Sequence, residues 1–237
     1  MPLYDFLAPV YDPVFESIYR PFRTQALERL PAMKGATVLD LACGTGQNFP
    51  FLAERIGPRG KIVGVDISSG MLKKARYRVE RSGQVNISLL QADAINLSRD
   101  LLNSAITVRG LILRQDQDDG LLRGKGSAHL CEAQTGVSSV DCVVCTYGFM
   151  AMRQWESVFW SSWSLLKPGG RYLIHDVDAE RGNLHAFAVE VATRCNFTHK
   201  VWRPLQGACI DFRMDYLDPS AHLFGGRLFV ASGAKPA

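Results

Sequence analysis

The sequence predicts an α/β fold, a mostly parallel sheet with helices on both faces. Three observations predict it. Apolar runs of strand length alternate with amphipathic stretches of helix length, glycine or Gly-Pro punctuation separates them, and the composition supports a sizeable core. Of 237 residues, 47% are hydrophobic, 21% charged and 10% aromatic, far from the make-up of a disordered or fibrous chain. That length favours one large domain, residues 1–237, over two.

The elements follow in order. Near the start, Asp12 is placed to cap and Pro13 to open a helix, and Pro21 to stop it and open a second, with Phe15, Ile18, Phe22, Leu27 and Leu30 on apolar stripes. Thr37 to Leu41 is a short apolar run ending in a glycine-rich turn, and the helical stretch Gln47 to Ile56 after it is stopped by Gly57-Pro58. Lys61 to Asp66 is the second strand. Ser68-Ser69 offer an N-cap to a helix from about Met71 to Arg81, which Ser82-Gly83 end. Ile87 to Asp93 and Val140 to Thr146 are the next strands. A Trp-rich helix then stops at Lys167 to Gly170 before the fifth strand, Arg171 to Asp176. After a helix around His185 to Cys195, the runs Cys209 to Tyr216 and Arg227 to Ser232 read as an antiparallel pair that closes the sheet at one edge.

Charge and cysteine usage exclude several functions. Lys and Arg number 27 against 23 Asp and Glu, a net +4 spread along the chain, too weak to point to a nucleic-acid partner. Six cysteines in a chain too large to need stapling, with no signal-peptide-like opening, are expected as reduced thiols in the cytoplasm. Cys142-Val-Val-Cys145 lies in a strand-like run, where positions three apart face opposite sides, so packing is expected there and no metal is predicted anywhere. No apolar run approaches the roughly 20 residues that a membrane-spanning helix needs.

The chemistry sits in the first turn. In Asp40-Leu41-Ala42-Cys43-Gly44-Thr45-Gly46 the small residues let the backbone leave a strand, turn tightly and approach a ligand. Asp66, at the end of the next strand, is an acid placed to accept from both ribose hydroxyls of a nucleoside. A dinucleotide fingerprint starting at Gly44 requires a third small residue at position 49, which is Phe. Asp40 also sits badly beside a pyrophosphate, whereas it favours a cationic amino or sulfonium group. The pattern points to S-adenosylmethionine and away from NAD.

At these residues the chain resembles class I S-adenosylmethionine-dependent methyltransferases, and more narrowly the small-molecule group of the ubiquinone/menaquinone biosynthesis methyltransferases. The resemblance is carried by VLDLACGTGQN (Val38 to Asn48), VGVDISSGMLKKAR (Val63 to Arg76), QADA (Gln91 to Ala94), VDCVVCTYGF (Val140 to Phe149) and LLKPGGRYLI (Leu165 to Ile174). The opening Tyr4 to Asp12 and the closing Leu223 to Pro236 are also similar to that group. The resemblance implies a Rossmann-like, seven-stranded sheet with the last strand antiparallel. It places Asp40, Ala42, Gly44, Thr45 and Gly46 at the methionine end of the cofactor, Asp66 on the ribose hydroxyls, and Ile67 and Met71 against the adenine. Asp93 takes the adenine amino group with Ala94 beside it, Thr146 and Tyr147 close the methionyl side, and Tyr4 and Tyr11 reach the sulfur from an N-terminal helical lid, residues 1–36.

Methyl transfer is an in-line displacement for which positioning supplies much of the rate. A hydroxyl or carbon acceptor also calls for a general base, and His175 and Asp176, at the end of the fifth strand, are the candidates. Between Asp93 and Asp141 the chain carries an insertion, residues 99–136, whose polar, glycine-punctuated sequence with five basic and five acidic side chains is expected to be flexible, although its apolar opening, Leu101 to Leu113, is able to dock. The function expected is methyl transfer to a small, apolar acceptor, a quinol-type or secondary-metabolite carbon or oxygen. The alternatives are a phospholipid-like amine acceptor at a membrane surface, met through a basic face of Arg20, Arg23 and Arg29, a nucleoside-binding protein without catalysis, and a nicotinamide-dependent oxidoreductase.

Overall fold

The computed structural model describes residues 16, 18–107, 112–115, 122–124, 139–179, 190, 195–217 and 226–237. Its strands are β1 (Thr37–Leu41), β2 (Lys61–Asp66), β3 (Ile87–Gln91), β4 (Ile112–Gln115), β5 (Leu122–Gly124), β6 (Val140–Thr146), β7 (Leu166–Asp178), β8 (Ile210–Tyr216) and β9 (Arg227–Ala234). Its helices are α1 (18–27), α2 (Phe49–Ile56), α3 (Ser69–Ser82), α4 (Arg99–Thr107), α5 (Trp155–Leu165) and α6 (Arg203–Ala208). All nine strands form one sheet, in the order β5-β4-β3-β2-β1-β6-β7-β9-β8.

Seven of these, β3-β2-β1-β6-β7-β9-β8, are the expected sheet. β1 pairs in parallel with β2 and β6, β2 with β3, and β6 with β7, while β9 runs antiparallel to both β7 and β8. The other two strands come from the 99–136 segment. β4 adds in parallel to β3, from Leu89↔Ile112 to Gln91↔Arg114, and β5 folds back antiparallel on β4. The described parts of the insertion are regular elements, and its apolar opening, Leu101 to Leu113, is the part read as able to dock. α4 opens it, with Leu101, Leu102 and Ala105 buried, and the two strands extend the sheet; the remaining inserted residues lie outside the described ones.

The side-chain alternation of the strands builds two cores. Leu39, Leu41, Val63, Val65, Val143 and Cys145 pack under α4 and α5, while Val38, Ile62, Cys142 and Val144 pack under α1, α2 and α3. Cys142 and Cys145 thus lie on opposite faces, as residues three apart in a strand must. The helix signals act where the sequence puts them. Ser68 Oγ accepts from Met71 N at 3.1 Å to start α3, and Gly83, at φ 66°, ends it in the left-handed conformation that glycine adopts without a Cβ penalty.

The expected break at Pro21 does not occur. Residues 18–27 form one helix that runs through it, with Tyr19, Arg23, Ala26 and Leu27 buried on one side and Pro21 itself exposed. That buried face holds the helix against the sheet although proline removes one backbone donor. Tyr4, Tyr11, Asp12, Pro13 and Phe15 lie outside the described residues, as does most of the helix expected around His185 to Cys195.

Candidate cofactor site

The site grows from the turn that ends β1. Ala42, Gly44 and Gly46 all take positive φ, 51°, 55° and 79°, so the chain doubles back at the sheet's carboxyl edge before entering α2. At Gly46 a Cβ would sit 2.5 Å from the Phe49 ring, so the glycine and the buried phenylalanine require one another. Phe49, which counts against a dinucleotide fingerprint, closes the space between this turn and β2.

Asp66 ties the first turn to the second. Its Oδ2 accepts from Gly44 N at 2.9 Å and its Oδ1 from Ser68 N at 2.8 Å. A carboxylate has about four lone-pair sites, more than these two bonds fill. Beside it opens a cavity of about 420 Å³. Ala42, Gly44, Thr45, Asp66, Ile67, Met71, Asp93, Ala94, Thr146 and Tyr147 all line it. Ile67 stays 42% exposed, an apolar surface next to the acid. Asp93 Oδ1 accepts from Ile95 N at 3.1 Å, which aims the carboxyl at the turn after β3.

Other expected residues stand elsewhere. Asp40 and Gly46 are behind the wall and not on it. Asp40 is fully buried; its Oδ1 accepts from Asn48 Nδ2 at 2.8 Å, its Oδ2 has no partner among the described residues, and burial pushes its carboxyl up to about 7 against the pull of Asn48 and Arg23. Asn48, which does line the cavity, also donates to Thr146 Oγ1 at 3.1 Å. Asp40 therefore reaches the ligand side through Asn48.

The structure does not bring the two candidate bases to the cavity wall. His175 is fully buried in β7, with Nδ1 2.7 Å from the Phe229 carbonyl and Nε2 2.6 Å from the Tyr147 hydroxyl. A carbonyl only accepts, so Nδ1 carries the proton and Nε2 takes the Tyr147 O–H. Burial lowers the imidazole to about 3, and it stays neutral. Asp176, 1% exposed, accepts from Met150 N at 3.1 Å and Val177 N at 2.9 Å, and burial raises its carboxyl to about 7. It fastens the turn Phe149–Ala151 to β7.

Sequence reasoning did not place several polar wall residues in the cofactor site, among them Arg23, Gln47 and Asn48. Arg23 donates to Gln47 Oε1 and lies 5.4 Å from the Tyr147 ring centroid. Gln47 and Asn48 directly follow the glycine turn, a usable signal; Arg23 is brought in by the docking of α1, which no local pattern marks. Ala151, Met152 and Val158 add an apolar stretch of wall.

Residues 4–123 match the sequence pattern of the ubiE/COQ5 methyltransferase family, half of the chain. The chain belongs to the ubiE/COQ5 methyltransferase family. Among curated relatives it is 33% identical over 97 residues to a demethylmenaquinone methyltransferase of Lactococcus lactis, covering 41% of this chain and 38% of that one. It is 36% identical over 97 residues to a 2-phytyl-1,4-naphtoquinone methyltransferase of Thermosynechococcus vestitus, covering 39% and 42%. The chain thus matches about two fifths of the length of these relatives. A solved Haemonchus contortus phosphoethanolamine N-methyltransferase 2, holding phosphomonomethylethanolamine and S-adenosylhomocysteine, shares the fold at TM-score 0.66 and 15% identity, covering 98% of this chain and 58% of that one.

S-adenosylmethionine is the cofactor of this family, and the cavity fits it. Asp66 offers a carboxylate for a vicinal diol, Ile67 and Met71 offer apolar surface for a base, Asp93 lines the same cavity, and the glycine turn leaves room where a Cβ at Gly44 would meet nothing closer than 4.0 Å.

Proposed function

We propose that this chain transfers the methyl group of S-adenosylmethionine to a small, apolar acceptor, a quinol-type or secondary-metabolite carbon or oxygen. The observation that carries the reading is the Asp66 carboxylate, bonded to Gly44 N and Ser68 N and facing one cavity with Asp93 and the exposed Ile67. When bound, the cofactor supplies a methyl group already activated by the sulfonium. The residues then have to orient and exclude water. Asp66 fixes the ribose, Asp93 and Ala94 the base, and the Ala42–Thr45 turn with Thr146 and Tyr147 the methionyl end, so that the acceptor meets the methyl in line. Ala151, Met152 and Val158 extend the wall with apolar surface suited to an apolar acceptor. The buried, neutral His175 orients Tyr147 and does not take a proton from the acceptor.

The phospholipid-like amine reading draws on the fold shared with the phosphoethanolamine enzyme. Its basic face is reduced here: Arg23 is buried and Arg29 pairs with Asp215 at 3.2 Å, which leaves Arg20 exposed. Among the described residues no helix is long and apolar enough to cross a membrane. Liposome sedimentation with and without anionic lipid separates the readings, and salt-sensitive binding to anionic vesicles would favour the lipid one.

The deciding experiment is calorimetric titration with S-adenosylmethionine, S-adenosylhomocysteine and NAD, followed by radiolabelled methyl transfer to reduced quinones. Binding of the first two but not the third, and label in the organic phase, are expected. Binding of NAD alone would overturn the reading, and cofactor binding without transfer to any acceptor would leave a nucleoside-binding protein.

A further inference from the structure

We infer that the outer edge of β8 pairs with β8 of a second copy of this chain, antiparallel about Met214, so that two nine-stranded sheets join into one. Among the described residues β8 is the last strand on its side of the sheet and pairs with β9 alone, whereas the opposite side ends in the three-residue β5. β8 is also open to solvent: Ile210 is 51% and Tyr216 37% exposed, and Asp211, Arg213 and Asp215 are exposed as well. An edge strand presents a row of backbone donors and acceptors that a further strand can satisfy.

The hydrogen-bonding direction limits the register. Leu217 N donates to the Leu228 carbonyl at 3.0 Å, so the alternate pairs Asp215↔Val230 and Arg213↔Ser232 are the bonded ones of the β8–β9 ladder. Met214 and Tyr216 then turn their N–H and C=O away from β9, to the outer side of the strand. The side chains divide by face. Phe212 and Met214 pack against the core under α4 and α5, whereas Asp215 meets Arg29, just past α1, at 3.2 Å on the other face.

Charge selects one register and one occupant. A two-fold axis at Met214 puts Arg213 opposite Asp215 of the second copy and Asp215 opposite its Arg213, with Phe212 facing Tyr216 in both directions. Opposite charges and aromatic pairs directly across two strands are favourable, and like charges there are not. Moving the axis to Arg213 sets that residue against itself and Asp211 against Asp215, and moving it to Asp215 sets an acid against itself. An axis at Phe212 pairs Asp211 with Arg213 but leaves Tyr216 opposite Ala208, in α6 and outside the strand. Edge charges and a bulge, here between Ile210 and Arg213, keep such strands from pairing indiscriminately. On β8 the same charges complement themselves, so they admit a second copy and repel a strand of another pattern. Arg29 does not use up Asp215, since the two side chains stay 46% and 51% exposed in their pair. No residue of β8 lines the cofactor cavity, so the pairing does not touch that wall.

Sedimentation equilibrium of the full chain over a concentration series reads the association, with 26.2 kDa for the chain alone and twice that for the pair. The unaltered protein is expected to dimerise. Arg213→Asp and Asp215→Arg should each weaken the dimer about tenfold or more, because both opposite-charge pairs become like-charge ones, and the two reversals combined should restore it. An equimolar mixture of the single variants should also associate, since one carries acids at both positions and the other bases at both. Thermal melts check that each variant is folded. Amide exchange of the unaltered protein gives the same answer without a variant: Met214 N–H should be protected at high concentration and exchange faster on dilution. An unaltered chain that stays monomeric at every concentration reached would overturn the inference, as would a dimer whose Met214 exchange ignores dilution. A dimer that both single reversals leave intact would place the interface elsewhere, and a double reversal as weak as the single ones would show that charge pairing does not set the register; either result would overturn it.

Discussion

Replacing Asp66 perturbs the site at the one side chain that joins its two turns. The carboxylate accepts backbone bonds at 2.9 Å from Gly44 and 2.8 Å from Ser68, and the proposed function has it accept from the two ribose hydroxyls as well. Hydrogen bonds to a charged group contribute about 1.5 kcal/mol or more each, so Asp66→Asn, which keeps one acceptor and loses the charge, should cost about 1.5 kcal/mol of cofactor binding. Asp66→Ala loses both and should cost about 3 kcal/mol, a Kd roughly two orders of magnitude weaker. Titration calorimetry with S-adenosylhomocysteine reads this directly. A thermal melt separates it from collapse of the turn, since Gly44 and Ser68 also lose their acceptor. If folded Asp66→Ala binds within threefold of the unaltered protein, the carboxylate does not hold the ribose and that assignment falls.

Three further perturbations test the surrounding structure. Burial raises Asp40 from its ordinary 3.8 to about 7, so its proton binds more tightly in the folded state and stability is lost as pH rises between those values. Asp40→Asn, which removes that titration, should gain on the unaltered protein in urea melts from about pH 4 to about pH 7 and then hold its advantage; parallel profiles would show that the carboxyl is not desolvated as described. His175 behaves in the opposite sense: lowered from 6.5 to about 3, it contributes stability above pH 6.5 that is lost as pH falls toward 3, and His175→Asn should flatten that acid limb. Unchanged acid sensitivity in that variant would place the titration elsewhere. Leu102 on α4 is 1% exposed, and Leu102→Ala should cost about 3 kcal/mol in denaturant unfolding if this helix of the insertion is part of the core; a loss near zero would detach α4 from it.

The sequence was most informative where the physics is local. The apolar runs of β1, β2, β3, β6 and β7, the Ser68 cap, Gly83 and the glycine turn all sit where a few adjacent residues specify them. Ten of the expected cofactor residues line the cavity for the same reason: they follow strand ends at one edge of a parallel sheet. What stayed hidden depends on residues far apart in the chain. Arg23 looks like any basic residue on an amphipathic helix until α1 packs it against Gln47 and Tyr147. His175 looks like a strand-end base, but its neighbours across the sheet and beyond the turn, Phe229 and Tyr147, bury it and fix its tautomer. The inserted segment reads as polar on average although its apolar opening, where Leu101, Leu102 and Ala105 are buried, was marked as able to dock, and β4 and β5 gain their pairing only from the open edge of β3.

The central claim is that this cavity directs a methyl group that its cofactor has already activated. Its most direct test is transfer of label from methyl-tritiated S-adenosylmethionine into the organic phase, with reduced quinones lacking one ring methyl as acceptors. The account predicts enzyme-dependent label in that phase and its loss in Asp66→Ala. Tight cofactor binding with no label in any acceptor would contradict it.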